Sequence, residues 1–309
     1  MLSIKTVLCP LDFSALSEPE LNLAVRVCRK FQSQLILQHN LVTPPISLSA
    51  AWMWEETHVK EEQRLERERE RQIQEVLRRL PGELKAEARM TYGPLDETIP
   101  ALAKSLLADL IIMGTHVRRH PDHISKTERV ILHAPCPVLT LREHTSPNLF
   151  SADVPQEEAR LVVPLDFSEH SIATLEYALK LSQSFPFTIH LLHIEGSWAL
   201  RDLRPGFALE NRLKESEEKL KAMIPEQFLD RVRTEVMAGS AIEEIVARAT
   251  QLQASLIVMG VHEKGLLSNL LAGATSTGVL HQSPCPVWYV PDRKVEGTSQ
   301  FVSVGSAKS

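Results

Sequence analysis

"DLIIMGTH", residues 109–116, returns 146 residues later as "SLIVMGVH", residues 255–262. Each copy is a short apolar run closed by Met-Gly-x-His. Four or five apolar residues bounded by turn-forming ones read as a strand buried on both faces. Working outward, the same duplication holds on either side. "CPLDFS" at Cys9–Ser14 returns as "VPLDFS" at Val163–Ser168. "APCPVLTL" at Ala134–Leu141 returns as "SPCPVWYV" at Ser283–Val290. Three blocks recurring in one order mark an internal repeat, so the chain is read as two copies of one α/β unit. Between the copies lies the polar "REHTSPNLFSADVPQEEA", Arg142–Ala159, with two prolines, which reads as a linker. The expected boundaries are a first domain at 1–143, a linker at 144–159, a second domain at 160–293 and a disordered Gly/Ser-rich tail at 294–309.

Within each copy the periodicity alternates between strand and helix. The first copy predicts strands at Ile4–Leu11, Leu35–Val42, Ala86–Tyr92, Leu110–Met113 and Val138–Leu141. Its helices start at a Ser17-Glu18-Pro19-Glu20 capping box, run as a charged helix over Glu55–Leu80, and cover Leu95–Leu107 and Ser125–Leu132. The second copy predicts strands at Leu161–Leu165, Thr188–Ile194, Val232–Met237, Leu256–Met259 and Val287–Val290. Helices are expected around Leu175–Leu181 and after a Ser240-x-x-Glu243 box. The charged helix, with its many i,i+4 pairs, reads as a solvated cover for one sheet face, with a partner-docking arm as the alternative. Trp52, Trp54 and Trp198 read as packing or interface residues.

The totals bound the function. The chain has 309 residues, a net charge of −5 and 43% hydrophobic residues, which is ordinary for two globular domains. That charge disfavours nucleic acid as a main partner. No apolar stretch reaches the length of a membrane span, and no signal peptide is read, so the expected compartment is the cytoplasm. The four cysteines, Cys9, Cys28, Cys136 and Cys285, include no C-x-x-C pair, so neither zinc nor a disulfide framework is expected. His116, His120 and His123 read as solvated loop histidines rather than a metal cluster.

A first strand ending Pro-x-Asp-x-Ser, a later strand ending Met-Gly-x-His and a closing "PCPV" strand resemble the universal stress protein family, and both copies match. The resemblance implies a tandem member. Each domain would be a doubly wound, five-stranded parallel sheet of order 3-2-1-4-5 with helices on both faces. It also implies pairing through the last strands, here Val138–Leu141 and Val287–Val290. Pairing within one chain would satisfy this, with a homodimer left open. Some members bind ATP through a loop of Gly, two residues, Gly, nine residues, then Gly and Ser or Thr. Independently of any family, an open parallel sheet binds ligands where its strand order reverses, and glycines before a helix N-terminus let main-chain N–H groups approach phosphate.

In the second copy Gly260 matches the first glycine and Gly273 the third. Glu263 replaces the second, Ala274 stands where a hydroxyl is usual, and Thr275 follows. By analogy Asp166 meets the adenosine part, Pro164, Ile194 and Val258 line the adenine pocket, and His262 belongs to the loop. Lys264 stands beside Glu263, whose carboxylate within about 4 Å of a phosphate would cost roughly 1–4 kcal/mol. The first copy keeps Gly114 but has Val117 at the second position, and its span to Cys136 is 22 residues against 25 from Gly260 to Cys285. It is read as degenerate: Asp12 caps its turn, Asn40 stands where the second copy has Ile194, and Arg118 and Arg119 are left as anion-holding side chains. The functional expectation is a stress-response module binding ATP or a related adenine nucleotide in its C-terminal domain. The alternative is a nucleotide-free interaction protein with both crevices filled. No metal site and no catalytic constellation are read; His262 is the only local candidate for proton transfer.

Overall fold

The computed structural model describes residues 2–41, 56–115, 125–143, 159–185, 187–196, 208–261 and 274–292. Trp52, Trp54, Trp198, the histidines and arginines at 116–123, most of the linker, His262, Glu263, Lys264, Gly273 and the tail lie outside these residues.

Short Val/Ile/Leu-rich runs form ten strands in one sheet. The first copy gives β1 (Thr6–Pro10), β2 (Gln34–Leu41), β3 (Ala86–Tyr92), β4 (Leu110–Gly114) and β5 (Val138–Leu141). The second gives β6 (Arg160–Pro164), β7 (Thr188–Gly196), β8 (Val232–Gly239), β9 (Leu256–Val261) and β10 (Val287–Pro291). The spatial order is β3-β2-β1-β4-β5-β10-β9-β6-β7-β8, so each copy has the order 3-2-1-4-5. All neighbours within a copy are parallel, and the copies join through one antiparallel pair, with Val287 opposite Thr140, Trp288 opposite Leu139 and Tyr289 opposite Val138.

Helices cover both faces. α1 (Ser17–Phe31), α2 (Glu56–Arg79), α5 (Glu169–Ser184) and α6 (Ala208–Ala222) lie on one side. α3 (Leu95–Ser105), α4 (Lys126–His133), α7 (Ala241–Gln251) and α8 (Ala274–Gln282) lie on the other. Alternation along each strand feeds two cores, and each runs across both copies. Val7, Leu37, Val163, Val258 and Trp288 face the α1/α5 side, whereas Leu8, Ile36, Val162, Ile257 and Tyr289 face the α3/α7 side.

The expected capping boxes differ from what forms. Ser17 does not cap α1: the residue before the helix is Leu16, already helical at φ −81° and ψ −20°, and the Ser17 hydroxyl donates to Asp12 Oδ1 at 3.0 Å. The Glu20 carboxyl turns inward against Gly114 instead of reaching back along the helix. Ser240 occupies the N-cap of α7, yet its side chain makes no capping bond. The box that does form belongs to α4, where Ser125 accepts from Glu128 N at 3.2 Å and the Glu128 carboxylate accepts from Ser125 N. Ser168 caps α5 by accepting from Ser171 N at 3.2 Å.

Candidate functional site

The strand order reverses between β1 and β4, and again between β6 and β9. Both pairs part early. β1 and β4 share only the Val7–Leu110 and Leu8–Ile111 positions, and β6 and β9 only Leu161–Leu256 and Val162–Ile257. β6 then continues to Pro164 and β9 to Val261. Each copy therefore has its switch point at the carboxyl ends of these strands, the place where open parallel sheets bind ligands.

The same corner closes the first strand of each copy. Asp12 Oδ1 accepts from Ser14 N at 2.8 Å, and Asp166 Oδ1 accepts from Ser168 N at 3.0 Å and Ser168 Oγ at 2.6 Å. Desolvation works to raise the Asp166 carboxyl, but the hydroxyl and main chain of Ser168 outweigh it and hold the group below its usual range. The next residue is a phenylalanine in the left-handed region, Phe13 at φ 60° and Phe167 at φ 64°. For a bulky side chain this costs about 1–2 kcal/mol. The rings rest on His39 and His193, with centroids 4.8 and 4.3 Å apart, and those histidines donate through Nδ1 to the carbonyls of Leu11 and Leu165 at 2.6 and 2.7 Å. Sequence reasoning missed this stacked corner. The signal was present: Phe13 and His39 recur as Phe167 and His193 at one spacing.

The second copy adds a network beneath α6. Glu195, buried at the end of β7, accepts from Ser216 Oγ at 2.7 Å and Arg212 Nε at 3.0 Å, and stands 3.3 Å from His193 Nε2. Burial raises its carboxyl, but Ser216, Arg212 and His193 together lower it below the ordinary value. The network anchors α6 to β7. Its hydroxyl points at the carboxylate rather than at the histidine, so it is not arranged as a nucleophile–base pair.

Of the expected wall, Pro164 closes β6 and Ile194 packs with Met237, its neighbour on β8, against the α7-side core. Val258 is elsewhere. It is fully buried among α5-side residues, and the parity of β9 puts Met259 on the face shared with Ile194. Ile194, Met237 and Met259 thus belong to one apolar cluster on that face, and Pro164 ends β6. The first copy is polar at two of these three positions, where Asn40 replaces Ile194 and Thr91 replaces Met237, and keeps Met113 at the third.

Gly260 closes the strand against α5. A Cβ there would fall 2.2 Å from His170 Nε2 and 2.9 Å from Thr174 Oγ1. His170 Nδ1 lies 3.2 Å from Asp292 Oδ1, tying the start of α5 to the end of β10. At Gly114 a Cβ would meet the Glu20 carboxyl at 1.9 Å. Burial, together with the nearby Asp12 charge, pushes the Glu20 carboxyl well above its ordinary range, against a main-chain hydrogen bond from Gly114. The described part of α8 runs from Ala274 and includes Thr275. Among the described residues no group of His, Cys, Asp and Glu is placed to hold a metal ion. None of the described helices is long and apolar enough to cross a membrane.

These features define a class: two doubly wound α/β units joined edge to edge, each with a switch-point crevice. The profile of the universal stress protein family matches residues 3–142 and 159–291, and the chain belongs to that family, as a tandem member. A universal stress protein of Methanocaldococcus jannaschii is 28% identical over 148 residues, covering 44% of this chain and 84% of that protein. Among solved structures, a universal stress protein of Archaeoglobus fulgidus superposes with TM-score 0.69 at 19% identity, over 94% of this chain and 97% of the other. A Pseudomonas aeruginosa protein of unknown function gives TM-score 0.57 at 19% identity, over 93% and 92%. At such identities the structural likeness speaks to the fold.

Proposed function

We propose that this protein is a nucleotide-responsive binding module, taking ATP or another adenine nucleotide in the crevice of its second copy. The observation that carries the reading is the asymmetry of the two crevices. Only the second pairs an apolar wall, Ile194, Met237 and Met259, with a carboxylate held in place by its own turn, Asp166. An apolar wall suits the faces of a purine, and the fixed carboxylate suits a ribose hydroxyl. A helix, α8, follows the loop pattern, and the main-chain N–H groups at a helix start favour anions. In this reading the first copy supplies the pairing edge, and no chemistry is assigned to either crevice.

A nucleotide-free interaction protein is the second reading, and one observation favours it. Gly114 and Gly260 are each explained by close helix packing, against Glu20 and against His170 with Thr174, with no phosphate needed. Mass spectrometry of small molecules released from freshly purified, denatured protein separates the two. The first reading expects adenine nucleotide in the released fraction or acquired on incubation with ATP. A nucleotide-free result after both treatments favours the second.

A further inference from the structure

The register of the pairing strands locates a pseudo-twofold axis. Leu139 of β5 lies opposite Trp288 of β10, and the two hold the same place in the repeated blocks "APCPVLTL" and "SPCPVWYV". If like copies paired in this register, each of these residues would face its own kind. Both side chains belong to the α1/α5 core and are 0% exposed. Trp288 packs on Tyr177 of α5, with ring centroids 6.0 Å apart. Burial pushes the Tyr177 phenol up, and Cys136 and Asp109 of the first copy add to it, so this ring also stands toward the first copy. The equivalent of Tyr177 on α1 is Leu23, buried in the same core.

The second copy thus brings two rings to the axis and the first copy two leucines. Protein cores are packed to near-crystal density, so added volume forces strain and missing volume leaves a cavity. Two second copies would bring four rings to this place, and two first copies four leucines. Neither matches the volume that the mixed pair fills. Phe31 and Phe185, which meet nearby at 5.6 Å, are alike in the two copies and discriminate nothing.

The opposite face carries a mismatch of charge. Glu128 of α4 is buried; its carboxylate closes the capping box of that helix and also stands 2.9 Å, through Oε1, from His281 Nε2 on α8. The equivalent of Glu128 is Thr277, and that of His281 is Leu132. Between two first copies the carboxylate would face Leu132, and a buried charge deprived of its partner is strongly destabilising. Between two second copies His281 would face Thr277 and lose its carboxylate.

We propose that these residues make the pairing edge a keyed interface, in which Trp288, Tyr177 and His281 of the second copy fit Leu139, Leu23 and Glu128 of the first, so that each edge accepts the other copy of the chain and rejects its own kind. Two chains then do not join through like edges. The key is independent of what either crevice binds.

Urea unfolding of the full chain, followed by circular dichroism, tests the fit. Leu139→Trp and Trp288→Leu should each lower the unfolding midpoint. The exchange Leu139→Trp/Trp288→Leu should lie above Leu139→Trp, because it restores one ring and one leucine at the axis; a double variant at or below Leu139→Trp would overturn the proposal. The charge half is read without a bulky insertion. His281→Leu should lower the midpoint in the natural chain and much less in Glu128→Thr, and equal losses would overturn it. Rejection of like edges is read by Leu139→Cys, whose thiol lies opposite itself only between two first copies. After refolding from urea at high protein concentration and oxidation with copper phenanthroline, no interchain disulfide beyond that of the natural chain is expected. A dimer linked through the new thiol would overturn the proposal.

Discussion

At Gly260 the missing methyl group is claimed by α5 before any ligand arrives. His170 and Thr174 occupy the space a Cβ would need, and the contact distances of 2.2 and 2.9 Å leave no tolerance. Gly260→Ala should therefore destabilise the ligand-free chain by about 1–3 kcal/mol, the usual range for overpacking. Adding His170→Ala should return part of that loss in a double-mutant cycle, read by urea unfolding. A Gly260→Ala protein of unchanged stability would show that α5 yields freely. Glu20 makes a second claim on a buried space. Burial and the Asp12 charge disfavour its ionisation and hold the carboxyl well above the ordinary carboxylate range. A carboxyl raised in the fold stabilises it below the unfolded pKa, and that stability erodes as pH rises from about 4.5 toward the folded value. Glu20→Gln keeps an acceptor for the Gly114 main chain and removes the titration. It should gain stability on the natural protein as pH rises above about 4.5, read by urea unfolding across pH. Equal pH dependence in the two proteins would contradict this.

Among the elements, helix starts show where a sequence is readable and where it is not. Apolar runs and turn residues placed all ten strands to within a few residues, because a strand buried on both faces has little alternative composition. Capping is decided by competition for hydroxyl groups, which sequence spacing does not reveal. Ser17 lost its capping role to Asp12, and Ser240 sits at an N-cap without using its side chain. Ser168→Ala should accordingly cost about 1 kcal/mol in urea unfolding, and Ser240→Ala less than about 0.5 kcal/mol. Comparable losses would mean the two caps are equivalent. The candidate site was legible in the same uneven way. Pro164 and Asp166 lie in a repeated block, whereas Ile194 was named by the family analogy alone. Val258, expected at the adenine pocket by analogy, is buried on the α5 side, because strand parity depends on which helices cover which side, and Met259 shares the α7-side cluster with Ile194. The left-handed corner at Phe13 and Phe167 was legible only by comparing the copies, in the repeated spacing to His39 and His193.

The whole molecule is an internally paired duplicate whose copies have diverged. The antiparallel β5–β10 contact makes one mixed sheet, and its two cores each draw residues from both copies. Bonds cross the pairing axis on several levels. Arg142 donates to the carbonyl of Ser283 at 2.9 Å, His281 Nε2 stands 2.9 Å from Glu128 Oε1, and the Phe31 and Phe185 rings meet edge to face at 5.6 Å. A symmetric homodimer would carry two identical crevices. Fusion in one chain frees each to change alone, and the contrast of Asn40 and Thr91 with Ile194 and Met237 is where the copies part. On the proposed reading, this contrast confines adenine nucleotide to the second copy. Titration of labelled ATP into the natural protein, Asp166→Ala and Ile194→Asn tests it directly. One saturable site per chain, weakened about tenfold or more in each variant, is the expected result; no saturation at millimolar ATP, or a site that ignores both substitutions, would contradict it.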